Sequence, residues 1–130
     1  MTPITSLSEL RINSGFWYVG TAYSKYREGI EAAYLYARDV GDVLQRAGLK
    51  VFVPIISSHE DAVAAGINPR DHDFWMAVDR PWMERAHGLI VIGMDGWDES
   101  LGIIAERAYF GAADKPIMFL DPAIIMAEAA

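Results

Sequence analysis

Apolar residues recur at helical spacing between Arg27 and Ala47, where Ile30, Tyr34 and Val40 mark one face. Gly48 follows the last of them, and glycine is a frequent helix stop because it tolerates the left-handed conformation. The pattern therefore predicts an amphipathic helix over 27–47.

The stretch GLIVIGM (88–94) is apolar without alternation. A short run of this kind is typical of a central parallel strand that is covered on both faces. Shorter runs with β-branched and aromatic residues predict three more strands at 15–21, 50–55 and 115–121.

Four other segments favour helices: 59–66, from about 71 to 86, from 100 to about 113, and 122–130. Asp71 or Asp73 can cap the second of these, and Ser100 can cap the third. Pro81 lies inside the second and is expected to kink it or split it in two, because proline lacks the amide hydrogen that a helix needs.

Strands that alternate with helices indicate βαβ units and a parallel sheet. We therefore predict one α/β domain over 15–130, a flavodoxin-like, doubly wound sheet of four to five strands with helices on both faces. Residues 1–14 are expected to form an N-terminal extension. Ligands of such sheets bind beyond the carboxyl ends of the strands, here 21–24, 56–59, 95–100 and 121–122.

Composition narrows the function classes. The 130 residues are 52% hydrophobic and include no cysteine, which excludes disulfides and thiolate metal sites and allows a reducing compartment. The net charge of −7 disfavours binding to a nucleic-acid polymer. No long apolar run or basic leader precedes the first strand, so we expect a cytoplasmic protein with no membrane partner.

Common cofactor motifs do not occur. The first strand ends in YVGTAYS, which is neither a dinucleotide-binding fingerprint nor a phosphate-binding P-loop. Gly20 and Thr21 either form an ordinary turn or let a ligand approach the backbone closely. His59, His72 and His87 have no metal-ligand spacing, so no metal site is expected, although His59 is a candidate ligand contact.

Glu106 is an acid in an otherwise apolar helix. Gly102 lies four residues earlier on the same helical face and leaves open space beside it, while Ser100 caps the helix. The carboxylate is either a surface acid paired with a basic residue or an acid placed over a cleft. The open space and the position after a strand favour the cleft.

Asp79 is a second acid in apolar surroundings, within FWMAVDRPW. It is either exposed beside Arg80 or lies near Glu106, where desolvation by Trp75 and Trp82 would raise its pKa. Two carboxyls at one site suit chemistry at an anomeric carbon, since one can attack or stabilise that carbon while the other protonates the leaving group.

Three stretches in order, WYVGTAYS, VDRPWMERAHGLIVI and SLGIIAERA with KPI after it, resemble the nucleoside 2-deoxyribosyltransferase-like superfamily over about residues 16–120. The closest resemblance is to a small bacterial and phage branch. It implies that Glu106 is the nucleophile at C1′ and that Asp79 binds or protonates the nucleobase. It also implies that Tyr18 positions the nucleophile, that Ser100 contacts sugar hydroxyls, and that a neighbouring subunit completes the site.

Two stretches depart from that pattern. Ala22-Tyr23-Ser24 replaces the Ser-Ile-Arg loop that binds a 5′-phosphate in the nucleotide-hydrolysing branch, which disfavours a monophosphate substrate. The loop 94–99 is longer and carries Trp97.

The expected function is cleavage or transfer of an N-glycosidic bond in a nucleoside or nucleotide-like substrate, without a cofactor. The expected ligand contacts are Gly20, Thr21, Ser24, His59, Trp75, Trp97, Ser100 and Gly102, with the two tryptophans as stacking walls. The alternative is a non-catalytic nucleotide-binding or interaction module, and a purely structural protein would have no cavity at this place. The many large apolar residues and the resemblance both predict a homo-oligomer, most simply a dimer.

Overall fold

Five parallel strands form one sheet, around which the helices pack. The computed structural model describes residues 1–130. The strands are β1 (Thr2–Pro3), β2 (Trp17–Gly20), β3 (Val51–Phe52), β4 (Gly88–Ile92) and β5 (Ile117–Leu120). The α-helices are α1 (Ile30–Arg46), α2 (Pro54–Ala65), α3 (His72–Arg85), α4 (Leu101–Ala112) and α5 (Pro122–Ala129), and a 3-10 helix covers Leu7–Leu10. None of these helices combines the length and apolar character needed to cross a membrane.

The strand order is β1-β5-β4-β2-β3, and every neighbouring pair is parallel. The predicted doubly wound, flavodoxin-like α/β fold is therefore confirmed. From β2 the chain passes through α1 to β3 on one side, and it then returns through α2 and α3 to β4 on the other side. The winding direction reverses between β2 and β4, which is the position at which ligands bind in folds of this class.

Alternate residues of the strands face two separate cores. Trp17 and Val19 of β2 point toward the side covered by α1 and α5. Tyr18, between them, points to the side covered by α3 and α4, where it packs with Phe110 of α4. This alternation decides which side chains of β2 lie beneath α4, and it places Gly20 on the same side as Tyr18.

The first fourteen residues do not form an extension, contrary to the prediction. Thr2 and Pro3 add an edge strand beside β5, and Ile4, Leu7 and Leu10 are buried in the α1 core. The indole nitrogen of Trp17 donates a 2.7 Å hydrogen bond to the carbonyl oxygen of Leu10. A strand of two residues carries too little alternation to be recognised in a sequence. It is recognised here by its pairing with β5.

Two other elements differ from their predicted form. The strand expected over 50–55 ends at Phe52, because Pro54 begins α2, and proline is well suited to the first helical position. His59 consequently lies inside α2 and not in a loop after a strand. Pro81 lies within α3, which remains one continuous helix and is not split.

Candidate active site

A cleft opens beyond the carboxyl ends of β2, β3 and β4, at the reversal of strand order. Four segments contribute to its walls: the loop after β2, the first turns of α2, the start of α3 with the loop before it, and the first turns of α4. The lining residues are Thr21, Tyr23, Ser24, Pro54, Ile55, Ser58, Pro69, Arg70, His72, Trp75, Met76, Asp79, Ser100, Leu101, Gly102 and Glu106.

Glu106 enters this cleft from the second turn of α4 and is only 6% exposed. No lysine or arginine forms a salt bridge with it, so it is not the paired surface acid of the alternative interpretation. Burial raises its pKa to about 8, and nearby Asp79 adds to the effect while the Tyr18 hydroxyl opposes it. A buried carboxyl without a cation is costly to ionise, and such groups cluster at functional sites.

Asp79 reaches the same cleft from α3 and is half-buried. Burial raises its pKa to about 6, while the Tyr18 hydroxyl acts in the opposite direction. The direction agrees with the sequence-based expectation that apolar surroundings desolvate this acid. The structure thus brings both predicted acids to one cavity.

Tyr18 lies beneath the two acids and is fully buried on β2. Burial raises its pKa far above the ordinary value, and the charges of Glu106 and Asp79 raise it further. Its hydroxyl is not in hydrogen-bond geometry with any group. The carboxyls of Glu106 and Asp79 are therefore close neighbours of the hydroxyl and not its hydrogen-bond partners. A neutral phenol here can donate to a carboxylate after a small movement of either side chain.

Four more predicted contact residues line the cleft. Thr21 is 4% exposed, and its hydroxyl has no hydrogen-bond partner. Ser100 caps α4 by accepting a 3.3 Å hydrogen bond from the amide of Ile103. Gly102 faces open space, since a Cβ there would meet only the Ser100 hydroxyl, at 3.8 Å. Ser24 is exposed at the rim.

The two tryptophans that were predicted as stacking walls lie in different places. Trp75 lines the cleft, and its indole nitrogen donates to the carbonyl oxygen of Asn68 at 2.9 Å, which fixes the ring. Trp97 packs edge-to-face on Phe119 with ring centroids 5.1 Å apart and does not line the cleft. The prediction of Trp97 as a stacking wall is therefore not met, because the loop after β4 folds back against β5.

His59 is also not a lining residue. It is buried in α2, where its ring nitrogens lie 2.6 Å from the Tyr23 hydroxyl and 2.9 Å from a Glu31 carboxylate oxygen. The prediction that it touches a ligand directly is corrected by this placement. Tyr23 stands between His59 and the cleft.

Sequence reasoning missed the contributions of the segment between α2 and α3. Pro69 and Arg70 line the cleft, and Arg70 forms no salt bridge in the protein. The segment lies between two helices, whereas the sequence prediction considered only residues that follow the carboxyl ends of strands. No group of three or more histidine, aspartate or glutamate side chains is arranged to hold a metal ion.

Gly20 lies against Glu106 although it is not itself in the cleft lining. A Cβ at Gly20 would be 2.8 Å from Glu106 Oε1 and 3.4 Å from Ile103 Cγ1. The missing side chain therefore makes room for the carboxyl over β2, which is the close approach for which glycine is suited.

We expect Gly20→Ala to displace the Glu106 carboxyl, and to lower the free energy of unfolding by no more than about 1 kcal/mol, because the clashing atom is the end of a flexible side chain that can move toward the cleft. Denaturant unfolding and an NMR titration of Glu106 would measure the two effects. Gly111→Ala is the matched control on α4, because a Cβ there meets nothing within 4 Å. An unchanged Glu106 titration in Gly20→Ala would contradict the close packing.

Comparison with known proteins gives one family. Residues 15–121 match the family described as a domain of unknown function, DUF1937. The chain belongs to the DUF1937 family. No curated protein matches the chain. The DUF1937 match covers most of the domain, including β2 to β5 and both acids, but it does not test the resemblance to the nucleoside 2-deoxyribosyltransferase-like superfamily, which stays a prediction.

Proposed function

We propose that the cleft binds a nucleoside or nucleotide-like substrate and cleaves or transfers its N-glycosidic bond, with Glu106 as the nucleophile. The observation that carries the proposal is the pair of acids, Glu106 and Asp79, which line one cavity above Tyr18 without a basic partner. A structural or purely packing role would not favour two desolvated carboxyls at the reversal point of the sheet.

The reaction uses the two acids in turn. A carboxylate oxygen of Glu106 attacks C1′ of the sugar, the C1′–N bond breaks, and its electron pair leaves with the nucleobase, which takes a proton from Asp79. Water or a second nucleobase then attacks C1′ and gives its proton to Asp79, and the Glu106 carboxylate is released. Water gives hydrolysis, and a second base gives transfer.

The raised pKa values suit a pair that shares one proton. With values near 6 for Asp79 and 8 for Glu106, the two carboxyls together hold about one proton at neutral pH, and without a ligand this proton rests on Glu106. The reaction needs the reverse, the charge on Glu106 and the proton on Asp79, so the proton must move between the acids when the substrate binds. Positive charge that develops on the sugar at C1′ favours this distribution, because it stabilises the carboxylate next to it.

The remaining walls match the parts of such a substrate. Trp75 and Met76 form an apolar surface for a planar base, while the hydroxyls of Thr21 and Ser100 are available to sugar hydroxyls. Arg70 supplies a cation at the rim. We further propose the cytoplasm as the compartment, which the absence of cysteine allows.

A panel of nucleosides and their 5′-monophosphates tests the proposal, with thermal shift for binding and chromatography for free base. We expect at least one nucleoside to stabilise the protein and to release its base. The thermal shift of each nucleoside is compared with that of its monophosphate, in wild type and in Arg70→Ala. This comparison shows whether Arg70 binds the phosphate. Binding without base release would support the non-catalytic binding module, and neither binding nor release would contradict both.

We also propose that the protein is a homo-oligomer, most simply a dimer, with α3 and α4 near the interface. Phe74, Val78 and Trp82 follow one another at four-residue spacing on α3 and are 41%, 44% and 48% exposed. Leu101 and Ile104 of α4 are 57% and 49% exposed. An apolar strip of this extent usually marks a partner surface, and two-fold dimers are the commonest closed arrangement.

Sedimentation at micromolar concentration is expected to give a dimer that Val78→Glu converts to a monomer, because a charge in an apolar interface is left unpaired. Leu35→Glu on α1 is the matched control, since Leu35 is 47% exposed and α1 covers the opposite side of the sheet from α3. A wild-type mass near 14.4 kDa would rule out the dimer.

A further inference from the structure

Behind one wall of the cleft, three polar side chains from three elements form a chain of hydrogen bonds. The Tyr23 hydroxyl, in the loop after β2, lies 2.6 Å from Nδ1 of His59 on α2. Nε2 of His59 lies 2.9 Å from a carboxylate oxygen of Glu31 on α1. His59 is 4% exposed, whereas Glu31 reaches solvent. The proposed reaction uses none of the three.

The order of these bonds fixes where the hydrogens lie. A carboxylate only accepts, so Glu31 places a hydrogen on Nε2 of His59. In an uncharged ring with that hydrogen on Nε2, Nδ1 carries a lone pair and accepts from the Tyr23 hydroxyl. Burial raises the pKa of Tyr23, so the phenol keeps the hydrogen that it donates.

Packing against neighbouring side chains fixes the orientation of the His59 ring. The His59 ring stacks on Tyr34 with centroids 4.4 Å apart and planes 20° from parallel. The Tyr34 hydroxyl in turn donates a 2.5 Å hydrogen bond to Glu60. With its hydrogen directed at His59, the Tyr23 oxygen keeps a lone pair that no group in the protein uses, and Tyr23 lines the cleft. The charge of Arg70, which also lines the cleft, opposes the effect of burial on the pKa of Tyr23 and therefore lies near its hydroxyl.

We infer that Tyr23 is a ligand-contacting residue whose hydroxyl oxygen accepts a hydrogen bond from a sugar hydroxyl, and that His59 and Glu31 are positioning residues for it. The sugar is the relevant part because Thr21, Ser24 and Ser58 give this side of the cleft its hydroxyl groups, whereas the apolar wall lies on α3. The inference rests on the proposed function for the identity of the ligand.

Binding is measured in a Glu106→Gln background, so that turnover does not consume the probe. The probes are the four ribonucleosides and their 2′-, 3′- and 5′-deoxy analogues. Tyr23→Phe is expected to weaken the bound nucleoside about tenfold, the effect of one hydrogen bond. It should leave unchanged the analogue that lacks the contacted hydroxyl, because that analogue has no bond to lose.

The positioning residues and a control complete the comparison. Glu31→Ala should lower the same discrimination without disturbing the fold, because the side chain is exposed. Tyr26→Phe is the matched control, since its hydroxyl bonds to Glu28 at 3.2 Å outside the cleft. The inference would be overturned if, for each probe, the affinity were the same in Tyr23→Phe, in Tyr26→Phe and in the Glu106→Gln protein that carries neither change.

A second readout needs no ligand. The ¹⁵N shifts of His59 near pH 8 are expected to show a hydrogen on Nε2 and none on Nδ1. A protonated Nδ1 would overturn the inference, because the Tyr23 hydrogen would then be free to point into the cleft as a donor. If no nucleoside binds, the proposed function fails, and the histidine shifts alone decide whether Tyr23 presents an acceptor.

Discussion

Base release is expected to fall by roughly three orders of magnitude or more in Glu106→Gln, with nucleoside binding largely retained. The amide has nearly the same shape as the carboxyl and fits the space over Gly20, but it is too weak a nucleophile to attack C1′. Base release by chromatography and binding by calorimetry measure the two properties separately. A loss confined to turnover is the signature of a group that acts on the reacting atoms.

Glu106→Ala should abolish turnover as well and leave the fold intact, but it also opens a cavity beside Ile103, so the amide variant is the cleaner test. Glu99→Gln is a control with the same chemical change, because Glu99 is an exposed acid in the loop after β4. Base release near the wild-type rate in Glu106→Gln would remove Glu106 from the role of nucleophile.

The parts of the fold that the sequence predicts well are those with long, regular patterns. The helix around Tyr34 and the strand GLIVI were expected within a few residues of their observed bounds, because burial on one face or on both leaves a readable period. The N-terminal strand was missed because two residues have no period. Its partner β5 supplies the hydrogen bonds, and that pairing is a tertiary property.

The sequence likewise predicts some residues of the candidate site and misses others. Glu106 and Asp79 reach one cleft because β4 and its flanking helices α3 and α4 follow the ordinary βαβ geometry. Trp97 and His59 were misplaced because loop direction and the starting residue of α2 decided where they point. Arg70 was missed since its loop joins two helices and reaches the cleft away from the strand ends.

The stability of the protein is expected to depend on pH through Glu106. Its pKa is raised from 4.5 to about 8 on folding, so between these values the folded protein binds more protons than the unfolded chain. Stability therefore falls as pH rises through this window, by up to about 1.4 kcal/mol per pH unit. Glu106→Gln removes the titration while keeping the shape of the side chain.

Wild type and Glu106→Gln should therefore be about equally stable near pH 4.5, below which the acid is protonated in both states. By about pH 8 the variant should be the more stable protein, with a difference on the order of several kcal/mol. Urea unfolding across this range measures the difference, and Asp79 contributes the same kind of slope in both proteins over a narrower and lower window, because its pKa is raised from 3.8 only to about 6. Parallel curves for the two proteins would mean that Glu106 titrates like a solvated acid. Such a result would remove the desolvation on which the shared proton of the two acids depends.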